Sequence, residues 1–402
     1  MPVSSIAFAT SILLNRAIMK FIFINKKPMQ SFAQKYITLA KIFIFYRNFS
    51  IFLSVLFSAN LVPQVKKYTL RDIAKELNIS ASTASRALHD NPRISALVRR
   101  QVKELAKSMD YQPDFRAMSL RRGSGRTIGV LLPQVDRYFF ASVLRGIDEI
   151  STEEGYNVLI CQSYESLQKE EDLARSLLNG RIDGLLASVS IETRVGPHFE
   201  QYVSKGLPLV FFDRALDYLK VSKVVLDDYK GAYQAVQHLI DSGCRRIAHF
   251  AGPGHIEIYA NRAGGYIDAL TKNGIQVDPE LIFSGVITQE AGCRAMKRLM
   301  EMGVKFDAIF SSGDYSALGA MVCAQQNGID IPRDLSIIGF SNEPFGALIQ
   351  PTLSSIDQHA LEMGRQAATL LISEINLKNK NQTVFPRKII LDPQLVIRNS
   401  TR

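Results

Sequence analysis

From Thr127 onward, short apolar runs alternate with longer amphipathic stretches. "TIGVLLPQV" (127–135) shows no polar alternation, as expected of a parallel strand buried on both faces. A helical pattern over 140–155 follows, then "NVLICQS" (157–163), a helical pattern at 169–179, "DGLLASV" (183–189) and "LPLVFFD" (207–213). The rhythm restarts after a connection near Asp227. It continues through helix 229–242, "RIAHFAG" (246–252), helix 262–273, "LIFSGVI" (281–287), helix 289–302, "AIFSSGD" (308–314), helix 314–327 and "LSIIGFS" (335–341). Strands alternating with helices of about 10–15 residues predict parallel, doubly wound sheets. Two such blocks predict two lobes, with a ligand cleft where the carboxyl ends of the strands converge. Lobe 1 is expected at about 127–227 and 359–389, and lobe 2 at about 228–358 and 390–402.

The preceding stretch carries a different pattern. In "YTLRDIAKELNISASTASRAL" (68–88), Leu70, Ile73, Ala74 and Leu77 recur at helical spacing. Thr69 is placed to cap that helix, with Asp72 as the partner in a capping box. Asn78-Ile79-Ser80 reads as a three-residue turn, and Ser80 as the cap of a second helix. Ala84, Ala87 and Leu88 face inward; Ala81, Ser82, Thr83, Ser85 and Arg86 face outward. A third helix follows over about Ser95–Met109. Two helices joined in this way place the N-terminal side chains of the second against base edges in a major groove. The expected DNA-contacting set is Thr69, Ser80, Ala81, Ser82, Thr83, Ser85, Arg86 and His89. Ala81, Ser82 and Arg86 are placed for bases, and Thr83 and Ser85 for phosphate.

Charge distribution supports a polyanionic partner for this segment. Residues 66–126 contribute +8, residues 1–65 contribute +7, and the remaining 276 residues contribute −5 to a net +10. A basic head ahead of a mildly acidic body is the footprint of nucleic-acid binding confined to the head. The first strand lacks a Gly-rich phosphate turn, and no Walker sequence, GxSxG elbow or metal-ligand spacing occurs elsewhere. A dinucleotide enzyme is therefore disfavoured, and no catalytic residue, cofactor or metal is expected. Cys161, Cys244, Cys293 and Cys323 form no CxxC pair and read as small hydrophobes in a reducing cytosol.

These motifs carry a resemblance. "TLRDIAKELNISASTASRAL" is similar to the DNA-binding head of the LacI/GalR (lactose-repressor) family, and "YQPDFRAMSLRRG" (111–123) resembles its hinge. "CRRIAHFAGP" (244–253), "IPRDLSIIGFSN" (331–342) and "LVIRNST" (395–401) resemble further landmarks of the family in the expected order. The resemblance implies an all-α helix-turn-helix head at 66–110, a hinge and linker at 111–126, and a two-lobed doubly wound α/β sensor of the periplasmic-binding-protein type I class at 127–402. It implies a cytoplasmic homodimeric repressor that binds operator DNA and is controlled by a small-molecule effector. In the hinge it implies that Leu120 wedges into the minor groove, with Arg116 and Arg121 supplying charge. Met118 stands where family hinges usually carry arginine.

For the effector, the resemblance nominates Phe139, Phe140, Asp213, Arg214, Asp227, Ile258, Arg262, Asp314, Ser341 and Asn342. Ser341 replaces an aspartate that in many relatives accepts sugar hydroxyls. Ile256 and Ile258 stand where some relatives place polar contacts. Purines and strongly anionic effectors are therefore disfavoured, and a carbohydrate, whose ring stacks while its hydroxyls are hydrogen-bonded, fits better. The expected mechanism is allosteric, with lobe closure governing the hinge, and induction is the expected sign. The absence of a C-terminal heptad tail points to a dimer.

Residues 1–65 fit none of this. They hold no acid, and the apolar uncharged stretch Phe49–Val65 is 17 residues, short of the roughly 20 that span a bilayer as a helix. Three readings are open: an export signal or membrane anchor, a poorly ordered extension, or upstream DNA translated from too early a start. The first would suit an exported or tethered sugar-binding protein, which has no use for the motif at 68–88. The acid-free aromatic composition favours the third. The intact mass of the native protein is then expected to match a chain starting between Leu61 and Lys66; a mass containing residues 1–60 would overturn this.

Overall fold

The structure, a computed structural model, describes residues 68–111 and 125–402. The doubtful leader at 1–65 and the hinge residues Arg116, Leu120 and Arg121 lie outside the described residues. Two compact units are present, the head and the body.

The head is three helices: α1 (Leu70–Glu76), α2 (Ala81–Leu88) and α3 (Ala96–Ser108). Thr69 forms the predicted capping box: its hydroxyl receives the Asp72 amide, and its own amide donates to the Asp72 carboxylate at 2.8 Å. Asn78 adopts a left-handed conformation (φ 52°) that turns the chain toward α2. Ser80 caps α2, accepting the Thr83 amide at 3.0 Å. Ile73, Ala74, Ala84, Ala87, Val102 and Ala106 form the head's core, alanine predominating where the short helices meet.

The body's first sheet has the order β11-β5-β4-β3-β1-β2, and every pairing is parallel. Its strands are β1 (Thr127–Leu132), β2 (Asn157–Gln162), β3 (Gly184–Ala187), β4 (Leu209–Phe212), β5 (Ser222–Leu226) and, from the far end of the chain, β11 (Lys388–Leu391). Helices α4 (Tyr138–Glu153), α5 (Leu167–Asn179) and α6 (Pro197–Ser204) connect the first four strands. The second lobe runs α7 (Asp228–Asp241), β6 (Ile247–Phe250), α8 (Glu257–Lys272), β7 (Ile282–Phe283), α9 (Gln289–Glu301), β8 (Ala308–Ser311), α10 (Asp314–Gln326) and β9 (Ser336–Ile338). Its parallel sheet has the order β7-β6-β8-β9. Strands β10 (Ser355–Asp357) and β12 (Gln394–Val396) form an antiparallel pair, and α11 (Ala360–Asn379) returns the chain to pack on the first lobe against α4, β3, β4 and β5.

The apolar runs form strands because both faces of each sheet are covered; β1, β3 and β4 are buried almost throughout. Several boundaries differ from the sequence expectation. Strand β11 pairs with β5, so the first lobe extends to Leu391 rather than 389. Helix α8 begins at Glu257, before Arg262, and "LIFSGVI" contributes only two strand residues. Strand β5 and helix α6 lacked a strong pattern of their own. Cys293 and Cys323, distant in sequence, are near neighbours between α9 and α10; Cys161 and Cys293 are half-buried rather than buried.

Glycine sets how closely the helices cross. A Cβ on Gly146 of α4 would lie 2.2 Å from the Leu361 carbonyl oxygen, and one on Gly364 of α11 would lie 2.0 Å from that of Val143. Gly292 of α9 and Gly319 of α10 meet their partners just as closely. On an open helix face Gly→Ala stabilises by up to about 1 kcal/mol. At Gly364 the sign is expected to reverse, the clash costing about 1–3 kcal/mol, seen as a lower denaturation midpoint.

Candidate functional site

In the head, α2 presents Ala81, Ser82 and Arg86 exposed and Thr83 half-buried. The Ser80 hydroxyl lies 2.8 Å from both the Ser82 and Thr83 hydroxyls, so the cap also orders the outward polar groups. Thr69 and His89 are exposed as well, and a ring nitrogen of His89 lies 2.8 Å from the Ser85 carbonyl oxygen. Ser85 contradicts the expectation. It is 5% exposed and is buried with Ala84 and Ala87 on the inner face of α2. It therefore cannot reach a phosphate without moving the helix. Exposed Arg71, Lys75, Arg86, Arg93, Arg100, Lys103 and Lys107 give the head its positive surface.

In the body, a cavity of about 290 Å³ opens between the lobes. This is near the lower end of the roughly 300–1,000 Å³ typical of small-molecule sites. Phe139, Phe140, Asp213, Arg214, Ile258, Arg262, Asp314 and Ser341, eight of the ten nominated residues, line it. A wider depression of about 570 Å³ elsewhere on the second lobe, beside Phe283 and Arg298, contains none of them and lacks contributions from both lobes. Asp227 and Asn342 are corrections. Asp227 caps α7 by accepting the Lys230 amide at 2.9 Å and does not line the cavity. Asn342 is tied down by Asp357 (2.7 Å) and Arg398 (2.6 Å), which turn its amide away from the cavity.

On the second-lobe wall, Arg262 of α8 is 3% exposed. It donates to the Asp228 carboxylate at 2.8 Å and to the Ser312 carbonyl at 2.7 Å, and stacks 3.7 Å over the Phe340 ring. Burial pushes the Asp228 carboxyl up to about 6, against the pull of Arg262. Arg262 thus shapes the wall, with its charge already matched by protein. Asp314, at the start of α10, accepts the Ser355 hydroxyl and the Glu343 amide, each at 2.7 Å; burial raises it to about 6, with these donors opposing. Ser341 holds φ 126°, an unusual value for a residue with a Cβ, and its hydroxyl accepts from Gln358 at 2.8 Å.

On the first-lobe wall, Arg214 donates to both oxygens of Glu165, at 3.1 and 2.9 Å. Burial works against its charge, yet Tyr259, Glu165 and Asp213 together hold it above the ordinary arginine value. Glu165 also accepts the Ile191 amide at 2.7 Å, fixing the loop that carries Ile191 into the cavity. Burial raises Asp213, opposed by Arg214, Arg262 and the Ser188 hydroxyl. Phe139 and Phe140 meet edge to face at 5.1 Å, on the first turn of α4.

Sequence reasoning missed the groups that join the two walls. Arg137 of the first lobe lies 3.9 Å over the Tyr315 ring of the second. His255 reaches the Ile191 carbonyl across the cleft at 2.6 Å, and Ile191 packs with Ile256, Ile258, Tyr259 and Ile287. Glu343, one residue beyond the nominated turn, is 4% exposed; burial and then Asp314 push its carboxyl up to about 7, while Arg137 and the Phe139 amide oppose. Only its adjacency to Ser341-Asn342 marked it in the sequence.

A helix-turn-helix with an exposed polar reading face and a two-lobed body enclosing a ligand-sized cleft define a ligand-responsive DNA-binding regulator. The chain belongs to the LacI family of bacterial regulatory proteins. The model described as "Bacterial regulatory proteins, lacI family" matches residues 69–114, and that described as "Periplasmic binding proteins and sugar binding domain of LacI family" matches 125–397. The chain is 33% identical over 335 residues to the HTH-type transcriptional repressor CytR of Escherichia coli (strain K12), covering 83% of this chain and 96% of CytR. It is 32% identical to catabolite control protein A of Priestia megaterium, covering 83% and 99%. Among solved structures, a CelR–cellobiose complex matches with a TM-score of 0.64 at 27% identity, covering 83% and 100%. A lac repressor dimer bound to operator shares the fold, with a TM-score of 0.74 at 22% identity. These relatives are transcriptional regulators. Among the described residues, no helix is long and apolar enough to cross a membrane.

The raised Glu343 carboxyl gives a pH dependence whose sign follows from linkage. A carboxyl raised from 4.5 to about 7 takes up a proton on folding. Its stabilising contribution is complete below the lower value and lost as pH rises through the upper one. Wild type is therefore expected to lose stability relative to Glu343→Gln between about pH 5 and 8. Denaturation midpoints that ran parallel over this window would contradict the assignment.

Proposed function

We propose that this chain is a dimeric repressor whose α2 reads operator DNA and whose interlobe cleft binds a carbohydrate that sets operator affinity. One observation carries the reading: a capped helix exposing Ala81, Ser82 and Arg86 shares a chain with a cavity walled by both lobes. Thr69, Ser80, Thr83 and His89 flank the reading face, and Arg116, Leu120 and Arg121 act in the hinge as the family's wedge and its charge. Phosphate contacts by the basic head position the helix, and base contacts specify the site. The repressor acts in the cytoplasm, where its DNA is, and the cleft carries out no catalytic step.

The effector assignment draws on the cleft's mixture of aromatic rings with hydrogen-bonding groups, and on the solved CelR relative, which is described with cellobiose. A ligand touching both walls favours the closed arrangement of the lobes. Closure changes the operator affinity of the dimer through the hinge, and operator and effector then influence one another reciprocally. The sign is induction.

Two heads reading two half-sites require a symmetric dimer. The first lobe offers a surface suited to one. Edge strand β2 exposes Leu159 and Ile160 at 48% and 49%, and an uncovered apolar edge is a liability for a chain that remains alone.

Operator binding by the full chain, followed by anisotropy with promoter fragments and random duplex at fixed moderate salt, tests the reading. Arg86→Ala is expected to lose about 1–3 kcal/mol of site-specific binding, leaving non-specific binding nearly unchanged. An inducing sugar is expected to weaken wild-type operator binding. Equal affinity for every promoter fragment and random duplex would overturn the function.

A further inference from the structure

The second lobe holds two cysteines outside the effector cleft. Cys293 lies on α9 and Cys323 on α10, both as free thiols. Cys323 is 0% exposed and belongs to the apolar core between these helices; Cys293, half-buried, packs against the same core. Cys161 and Cys244 sit in two other apolar clusters, and neither packs with this pair.

The glycine crossing of α9 and α10 sets the two thiols side by side. A Cβ on Gly319 would lie 2.9 Å from the Cys293 amide nitrogen, so the two backbones almost touch at that point. Cys323 follows Gly319 by one helical turn and shares its face of α10. The Asn327 amide, one turn further, reaches the Cys323 carbonyl oxygen at 2.8 Å and its sulfur at 3.9 Å. Burial pushes the Cys323 thiol up to about 11, with the neighbouring Cys293 side chain adding to the rise and Lys297 opposing it. A disulfide requires backbones this close, with Cα atoms within about 7 Å.

The two thiols differ in access, which orders their chemistry. Cys293 is the one that an oxidant reaches from solvent. Its thiolate attacks hydrogen peroxide and breaks the O–O bond, giving a sulfenic acid and, with one proton, water. The Cys323 sulfur then attacks the sulfenic sulfur; hydroxide leaves and takes the Cys323 proton as a second water. The two thiols together give up two electrons and two protons, and peroxide is reduced to water. The second step is the slower near neutral pH, because burial holds Cys323 as the thiol.

We propose that Cys293 and Cys323 form an oxidative modification site, at which peroxide joins them in an intramolecular disulfide that staples α9 to α10. Both helices start at the cleft, α9 after Thr288 and α10 with Asp314 and Tyr315, so the staple fixes the spacing of two parts of the second-lobe wall. The site rests on the packing of the thiols alone and stands whether or not the cleft binds sugar.

The test treats the folded full chain with hydrogen peroxide, blocks the remaining thiols with iodoacetamide and maps the peptides without reductant. Trypsin cuts after Arg294 and Lys305, so the two cysteines fall in separate peptides. The expected result is a linked pair of these peptides that dithiothreitol separates, with label remaining on Cys161 and Cys244 only. Closure is expected to quicken as pH rises from about 7 to 9, as Cys323 ionises. The bridge closes a loop of about 30 residues and is expected to raise the thermal midpoint by about 5–10 °C. Cys293→Ser, at a half-buried position that tolerates the hydroxyl, is expected to lose both the link and the rise. Sulfinic acid at Cys293 with no linked peptide, pairing with Cys161 or Cys244, a bridge between two protomers, a link that forms only after denaturation, or a linked chain with an unchanged midpoint would overturn the proposal.

Discussion

The buried ion pair between Arg262 and Asp228 is the interaction on which the cleft depends. It joins the second turn of α8 to the first residue of α7 and, through the Ser312 carbonyl, to the turn after β8. These segments are distant in sequence; α7 and α8 meet elsewhere through apolar packing and through exposed or half-buried hydrogen bonds such as Tyr229 to Asp268 (2.7 Å). Removing one partner would strand a charge in the interior, which typically costs about 3–5 kcal/mol. Phe340 lies under the guanidinium on one side and against Gly231 of α7 on the other, so aromatic packing and charge pairing fix the same wall. An effector thus meets a preformed surface on the second lobe.

The first-lobe wall is built differently. Glu165 collects Arg214 and the Ile191 amide, while buried Glu170 receives the Thr193 hydroxyl and His198, so the loop after β3 is held by two carboxylates. That loop carries Ile191 into the apolar cluster shared with the second lobe. The polar scaffold fixes backbone, and the contact between lobes joins that apolar cluster with polar pairs, among them Lys388 of β11 and Glu257 of α8 at 3.9 Å. The head follows a related logic: Ser80 satisfies the start of α2 internally and leaves Ser82 and Arg86 outside.

Much of this was legible in the sequence, for identifiable reasons. Buried parallel strands write continuous apolar runs, so β1, β3, β4 and β8 stood out. Thr69-Asp72 and Ser80-Thr83 are local capping pairs, so α1 and α2 could be placed almost to the residue. Strand β11 was misjudged at its end because its pairing with β5 is a tertiary fact, and its exposed–half-buried alternation resembles an edge. Ser85 reads as outward because it is polar, although Leu88, three residues on, packs on the head's core from the same side of α2. Asp227 and Asn342 were nominated by position, but whether a polar side chain faces a cavity or a neighbouring turn depends on partners such as Lys230 and Arg398. Glu343 and Arg137 wrote no pattern at all, since their roles arise only when two lobes meet.

Three connections link the lobes among the described residues, after β5, after β10 and after β11. Leu226 pairs with Leu391 in the first sheet, and Asp357 pairs with Gln394 in the small antiparallel ribbon, so the three passages lie beside one another. A bundle of parallel tethers resists stretching and sliding but yields to bending. The lobes are therefore left with one easy coordinate, a rocking about the line of these passages, and each lobe's tight glycine crossings keep it stiff while it rocks. Energy released by a small molecule at the mouth has few directions in which to dissipate, and the far edge of each lobe moves most, as the tip of a lever does.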